Sequence, residues 1–442
     1  MPEHENLYME PREEPILTFA TDPLVCCLYD GPVLSNALSH MPRLHSISLE
    51  LNYRTIHGIP WPVLQIILSL PQLQRFALKY HRLAPKTPPE EIRLDRPAPL
   101  TSFQFTLNDR RPRDTRYHLE ESEEHATNII LSGVHKTMEQ LVLATESAPI
   151  DAICTTFDWP NLRELRLRGV RRTVGNPPLP TVAMFAHMTR LRVLDLKLAQ
   201  PAGIPAQSVW PANYQTTFPW PELQHFSISC PVENDKIYAH LPPTLHTLGL
   251  QYFPHVSMLS SNLRAPELQW PLQSASAVLR ILHQCDLPLL RCLELEYRED
   301  HAEDELLRYL RTAFPALTQL KLRRYRREGA YGADVQVEHI ARALGSLPHL
   351  SDLSLHLDNV NVRETSTSPW NGGFGHSDHE LMRYQMALDG IANVVARGLG
   401  AATSLETFKL LRPPNYWLVS KWMPYRIERG EGLLSAACLS RV

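Results

Sequence analysis

The sequence predicts an α/β solenoid, a horseshoe in which about twelve short parallel strands form a curved sheet with irregular helices and loops on its convex side. Three observations carry this expectation. An apolar phrase, L-x-x-L-x-L, recurs with clear copies starting at Leu44, Leu73, Leu100, Leu162, Leu191, Leu223, Leu245, Leu290, Leu317, Leu350 and Leu405, and a weaker one at Met138. Several copies follow segments whose apolar residues repeat every 3.6 positions, the period of an amphipathic helix. Proline outnumbers glycine 38 to 18, and much of it stands just ahead of the phrase.

Each copy places apolar residues three and five positions after its first, as Ile47 and Leu49, Leu165 and Leu167, Leu194 and Leu196, Leu293 and Leu295, Leu320 and Leu322, and Leu353 and Leu355. The run Leu317-Thr318-Gln319-Leu320-Lys321-Leu322-Arg323 alternates with period two, which makes a strand with one buried face. Helices are predicted over Val63, Ile66, Ile67 and Leu70; Val278, Ile281, Leu282 and Cys285; Leu306, Tyr309, Leu310 and Ala313; Val337, Ile340, Ala341 and Leu344; and Leu388, Ile391, Ala392 and Val395. A helix between consecutive strands makes those strands parallel neighbours. First positions lie about 33 residues apart on average, long for such repeats. Copies near Leu100, Leu162, Leu223 and Leu245 follow Pro-rich loops rather than clear helices. In Met41-Pro42, Leu70-Pro71, Trp159-Pro160, Trp220-Pro221, Leu287-Pro288, Phe314-Pro315 and Leu347-Pro348, proline stops the incoming segment before the strand begins.

Composition narrows the function classes. A formal net charge of -3 and a pI near 6.7 supply no basic field for nucleic acid or anionic lipid. No apolar run approaches the roughly 18 residues of a membrane span, and the acidic Met1 to Glu14 stretch lacks the apolar core of a secretory signal. Seven scattered cysteines (Cys26, Cys27, Cys154, Cys230, Cys285, Cys292, Cys438) without a C-x-x-C pair fit reduced thiols in cytoplasm or nucleus.

The L-x-x-L-x-L strands, the long irregular units and the phrases WPNLRELRL and FPWPELQHFSI resemble the leucine-rich-repeat region of fungal F-box proteins, over roughly Leu34 to Leu411. The resemblance implies a leucine-rich-repeat solenoid that selects substrates for a cullin-type ubiquitin ligase. An F-box, the helical module that docks on the ligase adaptor, is not recognisable: the residues before Leu44 carry Pro2, Pro11, Pro15, Pro23 and Pro32 and no such helical pattern. The strand-capping Asn of the family appears in two copies, at Asn52 and Asn108.

Residues flanking the apolar strand positions should face solvent on the concave side and form a ladder of rungs. Basic rungs are Arg75 and Lys79, Arg166 and Arg168, and Lys321 and Arg323; acidic rungs are Glu294 and Glu296; Glu164 and the pair Asp195 and Lys197 are mixed. Ser46, Ser48, Ser102, Gln104, Thr106, Ser227 and Ser229 are polar filler. With no aromatic residue and no continuous positive charge, the ladder suits a protein with patchy charge rather than a nucleic acid.

Two long segments interrupt the array, 81–99 and 358–379, each long enough to serve as a binding loop. The second ends in Gly375-His376-Ser377-Asp378-His379-Glu380, which starts like the G-x-S-x-G hydrolase elbow but puts His379 where the second Gly belongs. Ser377 with Glu380 reads better as a capping box for the following helix. His376, Asp378, His379 and Glu380 are adjacent loop positions without a distant fourth ligand, a poor metal set. Gly372-Gly373-Phe374-Gly375 lacks the Lys-Ser/Thr of a phosphate loop. The run Arg323 to Arg327 reads as a solvated strand end, and Glu120, Glu121, Glu123 and Glu124 as acids at a helix start.

The expectation is therefore a monomeric, non-enzymatic recognition protein without cofactor or metal. Residues 1–30 form an N-terminal extension or cap, with Cys26, Cys27, Leu28 and Leu34 covering the first unit. Residues 31–412 form the solenoid, and 413–442 a C-terminal cap with Tyr416, Trp417, Trp422 and Met423. The expected contact surface is Arg75, Lys79, Arg166, Arg168, Lys197, Glu294, Glu296, Lys321 and Arg323. The alternatives are a stand-alone scaffold or inhibitor without a ligase role and, more remotely, a hydrolase using Gly375 to Glu380.

Overall fold

The computed structural model describes residues 31–50, 58–79, 81–84, 87–107, 121–172, 174, 178–252, 268–269, 271–327, 335–358, 378–400, 404–412, 421–429 and 434–439. The fold is mixed α/β, with a large, mostly parallel sheet of 15 strands that does not close into a barrel. Every one of the twelve apolar phrases carries a strand, and each strand starts two residues after the first apolar position: Leu44 precedes Ser46, Leu162 precedes Glu164, Leu317 precedes Gln319. The turn that fixes this offset is tied to its neighbour by paired backbone bonds. Gln74 and Arg75 N–H both donate to His45 O, for example, and Thr318 and Gln319 N–H both donate to Arg291 O. The chain divides into two compact units, Met1–Glu164 and Leu165–Val442.

In the first unit, α1 (Gly31–Ser39) leads to β1 (Ser46–Glu50), β2 (Gly58–Ile59), α2 (Trp61–Leu68), β3 (Arg75–Lys79), β4 (Arg82–Leu83), β5 (Ser102–Thr106), α3 (Glu121–Val134), β6 (Gln140–Ala144) and α4 (Ile150–Thr155). Strands β1, β3, β5 and β6 pair in parallel so that Ile47, Phe76, Phe103 and Leu141 form one row and Leu49, Leu78, Phe105 and Leu143 the next. From Phe76 onward both rows are buried, together with Trp61, Val63, Leu64, Ile67 and Leu68 of α2. Strands β2 and β4 form a separate two-stranded parallel sheet. Buried Glu123 on α3 accepts from Leu83 N–H at 3.4 Å and from the Ser147 hydroxyl at 2.7 Å, so this member of the acidic run is a bracket between segments rather than a solvated charge. A short helix, α4, stands ahead of Leu162 where a Pro-rich loop is predicted; Pro149 at its N-cap has no N–H of its own to leave unpaired.

The second unit contains β7 (Glu164–Val170, whose first residue closes unit one), α5 (Thr181–Met184), β8 (Val193–Pro201), β9 (His225–Ser229), β10 (Thr247–Gln251), β11 (Leu268–Gln269), α6 (Ala275–Leu282), β12 (Cys292–Arg298), α7 (Glu303–Ala313), β13 (Gln319–Tyr325), α8 (Val337–Gly345), β14 (Asp352–His356), α9 (Asp378–Leu399), β15 (Thr407–Arg412), β16 (Lys421–Arg429) and β17 (Leu434–Cys438). Parallel pairing from β8 to β14 aligns Leu194, Phe226, Leu248, Leu293, Leu320 and Leu353 in one buried row. A second row, Leu196, Ile228, Leu250, Leu295, Leu322 and Leu355, extends to Leu410 of β15. The five predicted helices are all present, and their apolar stripes are buried at Val278, Ile281 and Leu282, at Leu306 and Leu310, and at Val337, Ile340 and Leu344. Helices α8 and α9 pack so closely that a Cβ on Gly398 would stand 2.6 Å from Ala341 Cβ.

Beyond the twelve predicted strands and the separate β2–β4 pair, the large sheet gains three, all antiparallel. Strand β11 pairs with the end of β8, and β16 and β17 return as a meander on β15, with Met423 opposite Leu410 and Tyr425 opposite Phe408. Hairpin returns of this kind lie outside the repeat and carry no copy of its phrase. Of the C-terminal residues proposed as a cap, Trp422 and Met423 lie in β16, while Tyr416 and Trp417 lie outside the described residues, as do Cys26, Cys27, Leu28, Asn52 and Asn108.

Candidate recognition site on the sheet face

The strands alternate, so the residues between the buried rows share the other face of the sheet. In the first unit that face is made by Ser46, Ser48 and Glu50, by Arg75, Ala77 and Lys79, by Ser102, Gln104 and Thr106, and by Gln140, Val142 and Ala144. Arg75 is exposed, and Lys79 reaches Glu50 at 3.2 Å in the register position directly opposite. The Ser102 hydroxyl donates to Gln140 Oε1 at 2.8 Å, again across one strand step.

The second unit concentrates charge on the same face. Its middle row runs Asp195, Ser227, Gly249, Glu294, Lys321 and Ser354 in consecutive register. At one end, buried Asp195 receives Arg166 at 3.3 Å and stands 4.0 Å from Lys197 Nζ. At the other, Lys321 Nζ donates to Glu294 Oε2 at 3.3 Å, the Gln251 amide donates to the same carboxylate oxygen, and Arg323 Nη1 donates to Gln251 Oε1 at 3.1 Å. Between the two clusters the row narrows to Ser227 and Gly249; a Cβ on Gly249 would fall 2.6 Å from Ser227 Oγ.

The sequence expectation that all rung residues face solvent needs correction at six positions, Thr106, Asp195, Ser227, Ser229, Glu296 and Arg323, all of which are buried. Glu296 is fully buried and accepts from Tyr252 N–H at 3.0 Å and Tyr325 O–H at 2.9 Å. Arg323 is only 4% exposed. The expectation of a face without aromatics is also corrected. The Trp422 indole, delivered by the antiparallel β16, has Lys321 Nζ 5.7 Å and Arg323 Cζ 5.4 Å from its ring centroid, within reach of a cation–π interaction. Tyr325 follows Arg323 by two positions on the same strand.

The electrostatics follow from this crowding. Burial raises the Glu294 pKa, but Lys321, Lys197 and Arg323 outweigh it, so the carboxyl stays below its ordinary value. Burial lowers the Lys321 pKa, and Arg323 and Lys197 lower it further against the pull of Glu294. Burial also lowers His225, at the β9 end of the first polar row, with Asp195 opposing. Three buried polar atoms of this face have no hydrogen-bond partner among the described residues: Asp195 Oδ1, Ser227 Oγ and Arg323 Nε. A buried polar group left unmade costs about 1–3 kcal/mol.

The structure thus brings Arg166, Lys197, Glu294, Lys321 and Arg323 into two connected clusters of one unit, sets Arg168 on the same strand as Arg166, and buries Glu296 on the same face, bonded to Tyr252 and Tyr325. Arg75 and Lys79 belong to the first unit. His225, Gly249, Gln251 and Trp422 join the site without having been singled out. The first three stand at strand positions that the repeat spacing identifies, whereas Trp422 has no signal in the repeat. Of the hydrolase-like and metal-like fragment, Gly375 to Ser377 lie outside the described residues, and Asp378, His379 and Glu380 form the first turn of α9. Segment 81–99 is described apart from residues 85 and 86 and contains β4 and a 3-10 turn, Pro89–Glu91; of segment 358–379, only Asp358, Asp378 and His379 are described. Among the described residues no group of three or more His, Cys, Asp or Glu side chains is placed to hold a metal ion, and no helix is long and apolar enough to cross a membrane. Comparison of the sequence with protein-family models finds no match, and comparison with curated proteins finds none.

Proposed function

We propose that this chain is a non-enzymatic recognition protein, a leucine-rich-repeat solenoid that binds another protein through the polar face of its second unit. The observation that carries the reading is the unfinished hydrogen bonding of that face. Asp195 Oδ1, Ser227 Oγ and Arg323 Nε are buried without partners while strong donors and acceptors crowd around them. Native structures leave few such groups, and each calls for an explanation, which a water, an ion, strain or a ligand can supply. Charges placed only to keep a sheet soluble need no such burial. The buried thiols support binding over covalent chemistry: burial pushes Cys230 and Cys285 up to about 12, which keeps them protonated and unreactive.

The use we propose for this binding, by resemblance to fungal F-box proteins of the leucine-rich-repeat type, is substrate selection for a cullin-type ubiquitin ligase in cytoplasm or nucleus. A stand-alone scaffold or inhibitor with the same face is the second reading. The test is affinity capture with the tagged full chain against a Lys197→Glu, Lys321→Glu variant, scored for a recurring partner and for the ligase adaptor. Loss of the partner with an unchanged circular dichroism spectrum is expected; equal capture by the variant overturns the site. A partner without the adaptor decides for the scaffold.

A further inference from the structure

We propose that the second unit pairs with a second copy of this chain through α9, the two helices crossing antiparallel about Met386 so that Met382 of each copy fills the notch at Gly390 of the other. This surface is separate from the polar sheet face and does not depend on it. Of the large apolar side chains described in the second unit, Met382 and Met386 are the most exposed, at 62% and 66%. They stand one turn apart on α9. Gly390 stands one turn further, exposed, with no heavy atom within 4 Å of the place a Cβ would take. A spacing of four residues puts all three on one ridge of the helix, two knobs followed by a hole. Single exposed apolar residues are ordinary surface, whereas a ridge of this shape is a packing surface without its counterpart.

The rest of α9 is already engaged. Leu388, Ala392, Val395 and Leu399 are buried. Asn393 accepts from Ala436 N–H of β17 at 2.9 Å, and Gly398 lies against Ala341 of α8. Beside Gly390 a cleft of about 940 Å3 opens between α8 and α9, with Val337, Ala387, Ile391 and Val394 in its lining. An unbranched methionine side chain adapts to an irregular apolar hollow of this kind.

Charge identifies the occupant as a second copy. A two-fold axis at Met386 sets each residue before it opposite the residue equally far after it, so that Met382 meets Gly390 and Arg383 meets Asp389. Arg383 is exposed and reaches no carboxylate among the described residues. Asp389 accepts from the Gln385 amide at 2.8 Å and from Tyr425 O–H at 2.9 Å, both on Oδ1, which leaves Oδ2 for an incoming cation. The charges of α8 along the cleft are answered locally: Arg342 with Glu338 at 2.7 Å, and His339 with Asp304 at 2.8 Å. Each copy thus brings the cation and the carboxylate that its twin can use, whereas a parallel pairing would set Arg383 beside Arg383.

Sedimentation equilibrium of the full chain tests this between about 1 and about 100 µM, a range suited to a helix pair smaller than the roughly 1,200 Å2 of a standard interface. A monomer that becomes a dimer with rising concentration is expected. Met386→Glu sets two acids face to face and Gly390→Leu fills the notch, and each should hold the chain monomeric throughout. Both positions are exposed, so the circular dichroism spectrum and urea midpoint should stay those of the parent. Arg383→Glu should weaken the dimer about tenfold. The Lys197→Glu, Lys321→Glu variant should self-associate like the parent, so failure of the recognition face and failure of this pairing are read separately. A monomer at every concentration overturns the inference, and so does a dimer indifferent to Met386→Glu and Gly390→Leu. A dimer that those two abolish but Arg383→Glu leaves unchanged overturns the antiparallel register.

Discussion

In the first unit the polar rows of the sheet finish their own bonding, Lys79 with Glu50 and Ser102 with Gln140, each across a single strand step and near solvent. In the second unit the same rows of the same repeat bury Asp195, Ser227, Glu296 and Arg323 and leave three atoms unpaired. The apolar rows do not distinguish the units: Phe76, Phe103 and Leu141 are as deeply buried as Leu293, Leu320 and Leu353. Fold therefore resides in the rows that both units share, and the proposed recognition in the rows where they differ. A substitution in a shared row should act alike in either unit, whereas one in a polar row should not.

The largest effect tests the shared rows. Leu320→Asp puts an unpaired charge at a position 1% exposed, and Leu78→Asp does so in the first unit. Each should cost at least about 4 kcal/mol and abolish the cooperative urea transition of its unit. A mild effect in either would mean that its row is not a packed core.

Next in size is the middle polar row. Gly249→Ala drives a methyl into Ser227, whose Oγ and Cβ would lie at 2.6 Å and 2.9 Å, and the strands must part to admit it. The expected cost is about 1–3 kcal/mol by urea unfolding. The reciprocal change in the first unit, Ala77→Gly, removes a methyl from a half-buried position and should cost about 0.5–1 kcal/mol through backbone entropy. Equal costs would erase the contrast between the units at this row.

The strand positions were legible in the sequence because burial of Leu every second residue dictates both the strand and its offset from the turn. Helices with full apolar stripes, such as Val337 to Leu344, were legible for the same reason. Helix α4 was not: its six residues owe their helicity to burial of Ile150 and Ile153, which local composition does not record. The rung positions Arg166, Lys197, Glu294, Lys321 and Arg323 followed from alternation, but their burial did not. Alternation gives the direction of a side chain, and what lies over it depends on distant residues such as Tyr252 and Trp422. Trp422 arrives by a hairpin whose register is set by pairing with β15, so no repeat position announces it.

A smaller effect concerns pH. Burial holds the His225 pKa below its ordinary value of 6.5. Below pH 6.5 the unfolded chain takes up a proton that the folded chain refuses, so stability falls as pH drops from 6.5 toward the folded pKa. The slope for this one group is at most about 1.4 kcal/mol per pH unit. His225→Asn should flatten the urea midpoint between pH 7 and 5.5, whereas the first polar row of unit one, Ser46, Arg75, Ser102 and Gln140, has no histidine to contribute such a slope.

The smallest effect separates exposed from buried pairing. Lys79 and Glu50 have side chains 32% and 52% exposed, so their 3.2 Å contact is screened by water and salt. Lys79→Ala should change stability by less than about 1 kcal/mol, and less again at high salt. Lys321 and Glu294 make a contact of similar length, 3.3 Å, at 28% and 24% exposure, but the carboxylate is also bound by the Gln251 amide that holds Arg323. Lys321→Ala leaves Glu294 with one fewer counter-charge in a half-buried site, and its cost should exceed that of Lys79→Ala and resist salt. If the two substitutions cost the same, the charged face of the second unit is ordinary solvated surface, and the unpaired atoms of Asp195 and Arg323 lose their meaning as a site.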